Sequence, residues 1–195
     1  MMNASQIQIV VFDGSPVDPR LRKWVESQPH FAYASHIAPK GFPDLVAMQR
    51  NRICRWFLDH TDRDCLLMLD ADQIPVEATV PILTAEAPIA GCAYVQRDAR
   101  IGHEPDGEAA AGCLRISRAA LQAIDPPWFQ WVLSDDGCEV AECDCGHFCR
   151  KAREAGYHPV TVGRIGHIVP AVVILNDDND TFNIKLLSLY GESPL

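Results

Sequence analysis

The stretch Cys65-Leu66-Leu67-Met68-Leu69-Asp70-Ala71-Asp72 decides how this chain is read. Five apolar residues without polar alternation predict a strand buried on both faces, the kind found in parallel sheets covered by helices. The run stops at two carboxylates spaced i, i+2. That spacing puts both on one side of the chain end, where hard oxygen ligands can hold a divalent cation against a diphosphate. The chain holds three Asp-x-Asp triplets. Asp62-Arg63-Asp64 and Asp178-Asn179-Asp180 sit in polar stretches that read as surface loops. Only the central copy follows a strand-like run and precedes a Pro-containing turn, Gln73-Ile74-Pro75.

Outward from this strand, strands and helices alternate. Ile7 to Phe12 is mostly β-branched and ends at Asp13-Gly14-Ser15-Pro16, a buried first strand entering a loop. Leu21 to Ser27 reads as a helix and Phe31 to Ser35 as a short second strand. From Asp44 to His60, Leu45, Met48, Ile53, Trp56 and Phe57 recur at helical spacing, so a long helix leads into the central strand. Downstream, Val76 to Ala85 is a helix weakened by Pro81, Ile89 to Tyr94 a strand and Gln96 to Ala111 a polar loop. Gly112 to Ile116 is a strand, and Ser117 to Ile124 a helix with Ser117 as N-cap, stopped by Pro126-Pro127. Glu142 to Ala155 is a helix closed by Gly156; Val160 to Val162 and Ile168 to Leu175 are the last strands, the latter confined to an edge or shortened by Pro170. The alternation predicts an α/β fold, a mostly parallel sheet flanked by helices. In such sheets ligands bind outside the carboxyl ends of the strands, where Asp13 and Asp70 to Asp72 both lie.

With 195 residues and 48% apolar content, the chain can bury a full core as one domain spanning 1–195, with a core over about 7–175 and a tail over 176–195. A net charge of −9 without a long Lys/Arg cluster argues against a nucleic-acid binder that neutralises phosphates. Met1 to Gln8 is polar, with no basic region ahead of a long apolar stretch, and Ile168 to Leu175 is too short to span a bilayer. A soluble, cytoplasmic protein without a transmembrane segment is expected. Of its eight cysteines, Cys54, Cys65, Cys92 and Cys113 lie in apolar segments and read as small buried hydrophobes. Cys138, Cys143, Cys145 and Cys149 crowd together with His147, and could close a tetrahedral Zn2+ site, although Cys-x4-Cys-x-Cys-x3-Cys is not a common finger spacing.

Several short segments follow one another in a distinctive order: Ile9 to Arg20; Arg50-Asn51; Cys65 to Asp72; Gly91-Cys92-Ala93-Tyr94; Gly112-Cys113-Leu114-Arg115-Ile116; Pro127-Trp128-Phe129; Phe148-Cys149-Arg150-Lys151-Ala152 with Gly156-Tyr157; and Gly166-His167. This order resembles the GT-A glycosyltransferases, especially compact family-two-like enzymes of bacteria and phages, and the likeness runs from about Ile7 to Ile168. It implies a Rossmann-like GT-A fold with a nucleotide-sugar donor bound over the sheet. Asp70 and Asp72 would serve a Mn2+ or Mg2+ on the diphosphate, Asp72 as the more direct ligand and Asp70 facing the ribose or a metal-bound water. Asp13 would sit near the base or ribose and Arg50 near the nucleotide end of the pocket. By their own chemistry, Asp13 equally suits a turn and Arg50 a structural ion pair. By this likeness His167, after Gly166 and some ten residues beyond Gly156-Tyr157, takes the place of a third metal ligand; the alternative is a satisfied core histidine.

The likeness departs near residue 144. Family members commonly carry Glu-Asp just ahead of Phe-Cys, with a carboxylate as the base for the acceptor hydroxyl; here the aligned pair is Asp144-Cys145, with Glu142 two residues earlier. Asp144 is the first candidate for general base and Glu142 the second. The alternative is that these acids only complement a helix dipole. Trp128 and Phe129 could stack on an acceptor sugar or plug the core, and the loop Gln96 to Ala111 could close over a donor. The function implied is a metal-dependent, hexosyltransferase-like glycosyltransferase that moves a sugar from a nucleotide-sugar to a hydroxyl acceptor, with inversion. Its rivals are a non-catalytic nucleotide-sugar or metal-binding domain and a cysteine-rich zinc interaction module. A nucleotidyltransferase fits less well, because Asp13 to Pro19 holds one Gly and neither Lys nor Arg.

Overall fold

The computed structural model describes residues 6–12, 17–36, 46–94 and 109–168. In chain order the elements are β1 (Ile7–Val11), α1 (Pro19–Glu26), β2 (Phe31–Tyr33), α2 (Val46–His60), β3 (Cys65–Leu69), β4 (Gln73–Ile74), α3 (Pro81–Thr84), β5 (Ile89–Ala93), β6 (Cys113–Ser117), α4 (Arg118–Ala123), β7 (Val132–Leu133), β8 (Val140–Glu142), α5 (Asp144–Glu154), β9 (Val160–Arg164) and β10 (Gly166–His167). The six-stranded central sheet has the order β2-β1-β3-β6-β5-β9. Within it β6 runs antiparallel to β3 and β5, and every other pairing is parallel. The expected α/β class, a mostly parallel sheet flanked by helices, is the one observed.

Residue parity divides the core. Cys65, Leu67 and Leu69 of β3 pack with Leu21 and Val25 of α1 and Ile82 of α3. Leu66 and Met68 pack with Ile53, Cys54 and Phe57 of α2, Leu121 of α4 and Phe148 of α5. The period of two along a strand thus assigns even-numbered residues of β3 to the α2, α4 and α5 side. β1 follows the same rule, with Val10 and Phe12 on the α2 side and Ile9 and Val11 on the other.

Arg118 ties the end of α2 to the start of β3. Its guanidinium donates to the carbonyls of Phe57, Leu58, Thr61 and Arg63 at 2.8–3.2 Å and lies 4.5 Å from the Phe57 ring centroid. Ser117 caps α4 as expected, its hydroxyl accepting from the Ala120 amide at 3.2 Å. Gly156 closes α5 with φ +85°, the left-handed conformation that makes glycine favourable there.

Local expectations change, and two short ribbons are added to them. Val76 to Ala85 is not one helix: a 3-10 turn over Glu77–Thr79 precedes α3, and Pro81 sits in the first turn of α3, where its missing N–H leaves no intrahelical bond unmade. The last long helix begins at Asp144, with Cys143 as N-cap, so Glu142 ends β8 instead. The ribbons β4–β10 and β7–β8 have strands of two or three residues, too short for a periodicity to betray them. Asp13, most of the loop Gln96 to Ala111, the strand expected beyond Ile168 and the tail 176–195 lie outside the described residues. Among the described residues no helix is long and apolar enough to cross a membrane.

Candidate active site

The parity of β3 leads to its first polar group. Asp70 follows Leu66 and Met68 in register and meets α2. There Arg50 lies in the buried stripe with Ala47, Ile53, Cys54 and Phe57, and is itself only 5% exposed. Arg50 Nη2 donates to Asp70 Oδ1 at 3.1 Å and Oδ2 at 3.3 Å, while Nη1 donates to Asp144 Oδ2 at 2.5 Å. The guanidinium also lies 5.4 Å from the Phe12 ring centroid and 5.9 Å from that of Phe129. A planar fork of donors suits this bridging of two carboxylates, which a point charge would not achieve. Burial alone would pull the guanidinium down, but Asp70 and Asp144 outweigh it and hold Arg50 above its usual pKa. Burial pushes the Asp70 carboxyl up; Arg50 opposes this, and Asp72 and Asp144 add to it.

Asp72 takes a different partner. The chain turns after Asp70, with the Gln73 amide donating to the Asp70 carbonyl at 3.1 Å, so strand alternation stops before Asp72. β10 then pairs with β4, placing His167 opposite Gln73, and the Ile168 amide donates to the Asp72 carbonyl at 2.9 Å. These contacts bring His167 Nε2 to 3.2 Å from Asp72 Oδ2. The Tyr94 ring packs edge-on against His167, with 5.2 Å between centroids. Asp70 and Asp72 are therefore neighbours with separate attachments, one to the helical layer and one to the β4–β10 ribbon. Among the described residues no three His, Cys, Asp or Glu side chains form a metal-holding group, so the set Asp70, Asp72 and His167 is brought together as one pair with Asp70 engaged elsewhere.

At the start of α5, Asp144 is 3% exposed and paired with Arg50. Glu142 is held by Arg150, whose Nε and Nη2 donate at 3.0 and 3.1 Å, and lies 3.3 Å from His147 Nδ1. The Arg150 hydrogen bonds keep the Glu142 carboxyl below its usual range. Trp128 and Phe129 are buried. Trp128 Nε1 donates to the Leu121 carbonyl, the Asn51 side chain bonds both backbone amides and the Phe129 carbonyl, and the Phe129 ring stacks on Phe148 at 4.8 Å. They plug the core, one of two readings that stood level from sequence. The four late cysteines do not gather: Cys143 and Cys145 have sulfurs 2.9 Å apart, Cys149 is buried against the Ala109 backbone, and Cys138 is exposed.

Sequence reasoning passed over Phe12, Gln73 and Tyr94, all of which line these contacts. Gln73 follows the second carboxylate directly, and that adjacency was its signal. Tyr94 reaches the site only through the fold, its hydroxyl accepting from the Gly112 amide at 3.3 Å.

No protein-family model matches the chain, and no curated protein sequence matches it. Among solved structures, A197 from STIV superposes with a TM-score of 0.59 at 18% identity, over 91% of this chain and 98% of that one, which shows a shared fold. Glucosyl-3-phosphoglycerate synthase from Mycobacterium tuberculosis, a GT-A enzyme, aligns more loosely. Its complex with Mg2+ and UDP has a TM-score of 0.47 at 13% identity, over 84% of this chain and 72% of that one. Its complex with Mn2+ and UDP-glucose has a TM-score of 0.46 at 14% identity, over 84% and 71%.

Proposed function

We propose that this protein is a metal-dependent glycosyltransferase of the GT-A type, a single domain acting in the cytoplasm, which transfers a sugar from a nucleotide-sugar to a hydroxyl acceptor with inversion. The observation that carries the reading is the end of β3. One buried strand delivers a carboxylate to a buried arginine shared with Asp144, and two residues later a second carboxylate to a histidine. A carboxylate beside an imidazole fits a divalent cation, and the imidazole favours Mn2+ over Mg2+. Asp72 and His167 would hold the ion, with Asp70 towards the ribose or a metal-bound water and Asp13 near the nucleotide. When bound, the ion supplies Lewis-acid charge against the diphosphate leaving group. Arg50 orients Asp70 and Asp144. Because Arg50 holds Asp144 through Oδ2, the acceptor proton would go to Oδ1.

The same ion pair supports a second reading, a nucleotide-sugar binder without transfer. Arg50 occupies one oxygen of Asp144, and Arg150 engages both oxygens of Glu142, so each candidate base already has a cationic partner. A thermal-shift screen of nucleotide-sugars with and without Mn2+, followed by a transfer assay with each donor that binds, separates the two. Asp144→Asn is expected to reduce transfer by about 10²- to 10⁴-fold with donor affinity nearly unchanged. Wild-type transfer by both Asp144→Asn and Glu142→Gln would exclude a base at this end of α5. Donor binding without any transfer would favour the binder.

A further inference from the structure

The pair Asp72 and His167 leaves the proposed cation short of protein ligands, because Asp70 is held through both oxygens by Arg50. One oxygen donor beside the pair has no other occupation. Gln73 follows Asp72 in the chain and lies opposite His167 in the β4–β10 ribbon, so both side chains rise from one face, with Cβ atoms about 4.5–5.5 Å apart. Its side chain is 1% exposed, and neither Oε1 nor Nε2 has a hydrogen-bond partner.

The surroundings fix where the amide sits. A Cβ added to Gly112 would stand 2.9 Å from Gln73 Nε2 and 2.7 Å from the Tyr94 hydroxyl, so the bare glycine is what admits both groups. Tyr94 in turn packs on His167. Gln73, Tyr94 and His167 therefore form one continuous wall. A buried amide whose two polar atoms pair with no protein group weakens the fold, and methionine would fill similar space without that penalty. The amide calls for a partner that arrives from outside.

We propose that Gln73 is a third protein ligand of the divalent cation, its Oε1 coordinating beside Asp72 and His167. The inference rests on the metal-dependent reading above. A neutral oxygen ligand adds coordination without charge, so Asp72 is the one anionic protein ligand of this trio. Such a site binds free cation weakly and fills when a diphosphate brings its own negative charge. The metal would load with the donor rather than reside permanently.

The test uses the full chain and Mn2+, titrated by electron paramagnetic resonance both alone and with UDP present, with melting temperatures taken in chelator. Gln73→Met is expected to raise the metal-free melting temperature by about 2–4 °C and to weaken Mn2+ binding by about 10- to 100-fold. Gln73→Glu is expected to melt below wild type without metal and to gain more from added Mn2+ than wild type does. Wild-type Mn2+ affinity in Gln73→Met, or a metal-free melting temperature below wild type, overturns Gln73 as a ligand. If Asp72→Ala still loses Mn2+ in that case, the metal-dependent reading stands without it. A wild-type chain that takes up no Mn2+ either alone or with UDP present overturns both.

Discussion

One guanidinium stands between two carboxylates at the centre of the site, and removing it leaves Asp144 buried and Asp70 half-buried without a counter-charge. Arg50→Met should therefore destabilise the fold by about 3–5 kcal/mol, measured by urea unfolding at neutral pH. A loss below about 1 kcal/mol would mean that solvent already screens the network. The pH dependence has a definite sign. Burial raises the Asp70 carboxyl even with Arg50 present, and without Arg50 it rises further. A carboxyl raised in the folded state favours folding at low pH and loses that contribution as pH climbs through its folded pKa. The penalty of Arg50→Met should thus ease on acidification, and a penalty that grows instead would contradict the assignment. At the neighbouring carboxylate, Asp72→Ala should abolish Mn2+-dependent binding of UDP or GDP in calorimetry, whereas Asp62→Ala should not. Asp62 belongs to the rival triplet but its side chain is 88% exposed. Equal behaviour of the two variants would remove the reason for choosing the central triplet.

Among the elements, α1 offers a clean electrostatic test. Asp18 caps it by accepting from the Arg20 amide at 2.8 Å, and the Arg20 side chain holds the Asp18 carboxyl down at about 2. A depressed carboxyl contributes above its unfolded pKa and is lost as pH falls through the folded value, so the cap should survive at pH 3 and fail near pH 2. A carboxyl titration by NMR with a midpoint near 3.8 would show the contact to be loose. In β9, Gly163 has φ +70°, and an added Cβ would collide with the Ala78 carbonyl of the preceding 3-10 turn. Gly163→Ala should cost about 2 kcal/mol or more, seen as a lower melting temperature. An unchanged melting temperature would mean the turn moves freely away. The contrast between β3 and β9 explains which elements the sequence revealed. Cys65 to Leu69 is apolar throughout and bounded by acids, so its limits were readable to the residue. Val160–Arg164 is half-exposed, and its length depends on pairing with β5, a partner distant in the chain.

For the molecule as a whole, the alternation of strands and helices sufficed for the fold class, because burying a two-sided sheet requires helices on both faces. The site was less open to inspection. Arg50 is a charged residue inside an apolar helical stripe, a pattern that marks a buried partner without naming it; Asp70 and Asp144, 20 and 94 residues away, enter only when β3 and α5 close over α2. His167 met Asp72 through a ribbon of two-residue strands that no periodicity could signal. Arg118 carries a consequence at this scale. Its single guanidinium gathers carbonyls from the last turns of α2 and from the link to β3, while its own amide donates to the Asp64 carbonyl at 2.7 Å. The end of α2, the link and the start of β3 should consequently open together as one cooperative unit. Native-state hydrogen exchange would then report one opening free energy for amides in all three, and replacing Arg118 by methionine would let the helix end fray while the strand stays protected.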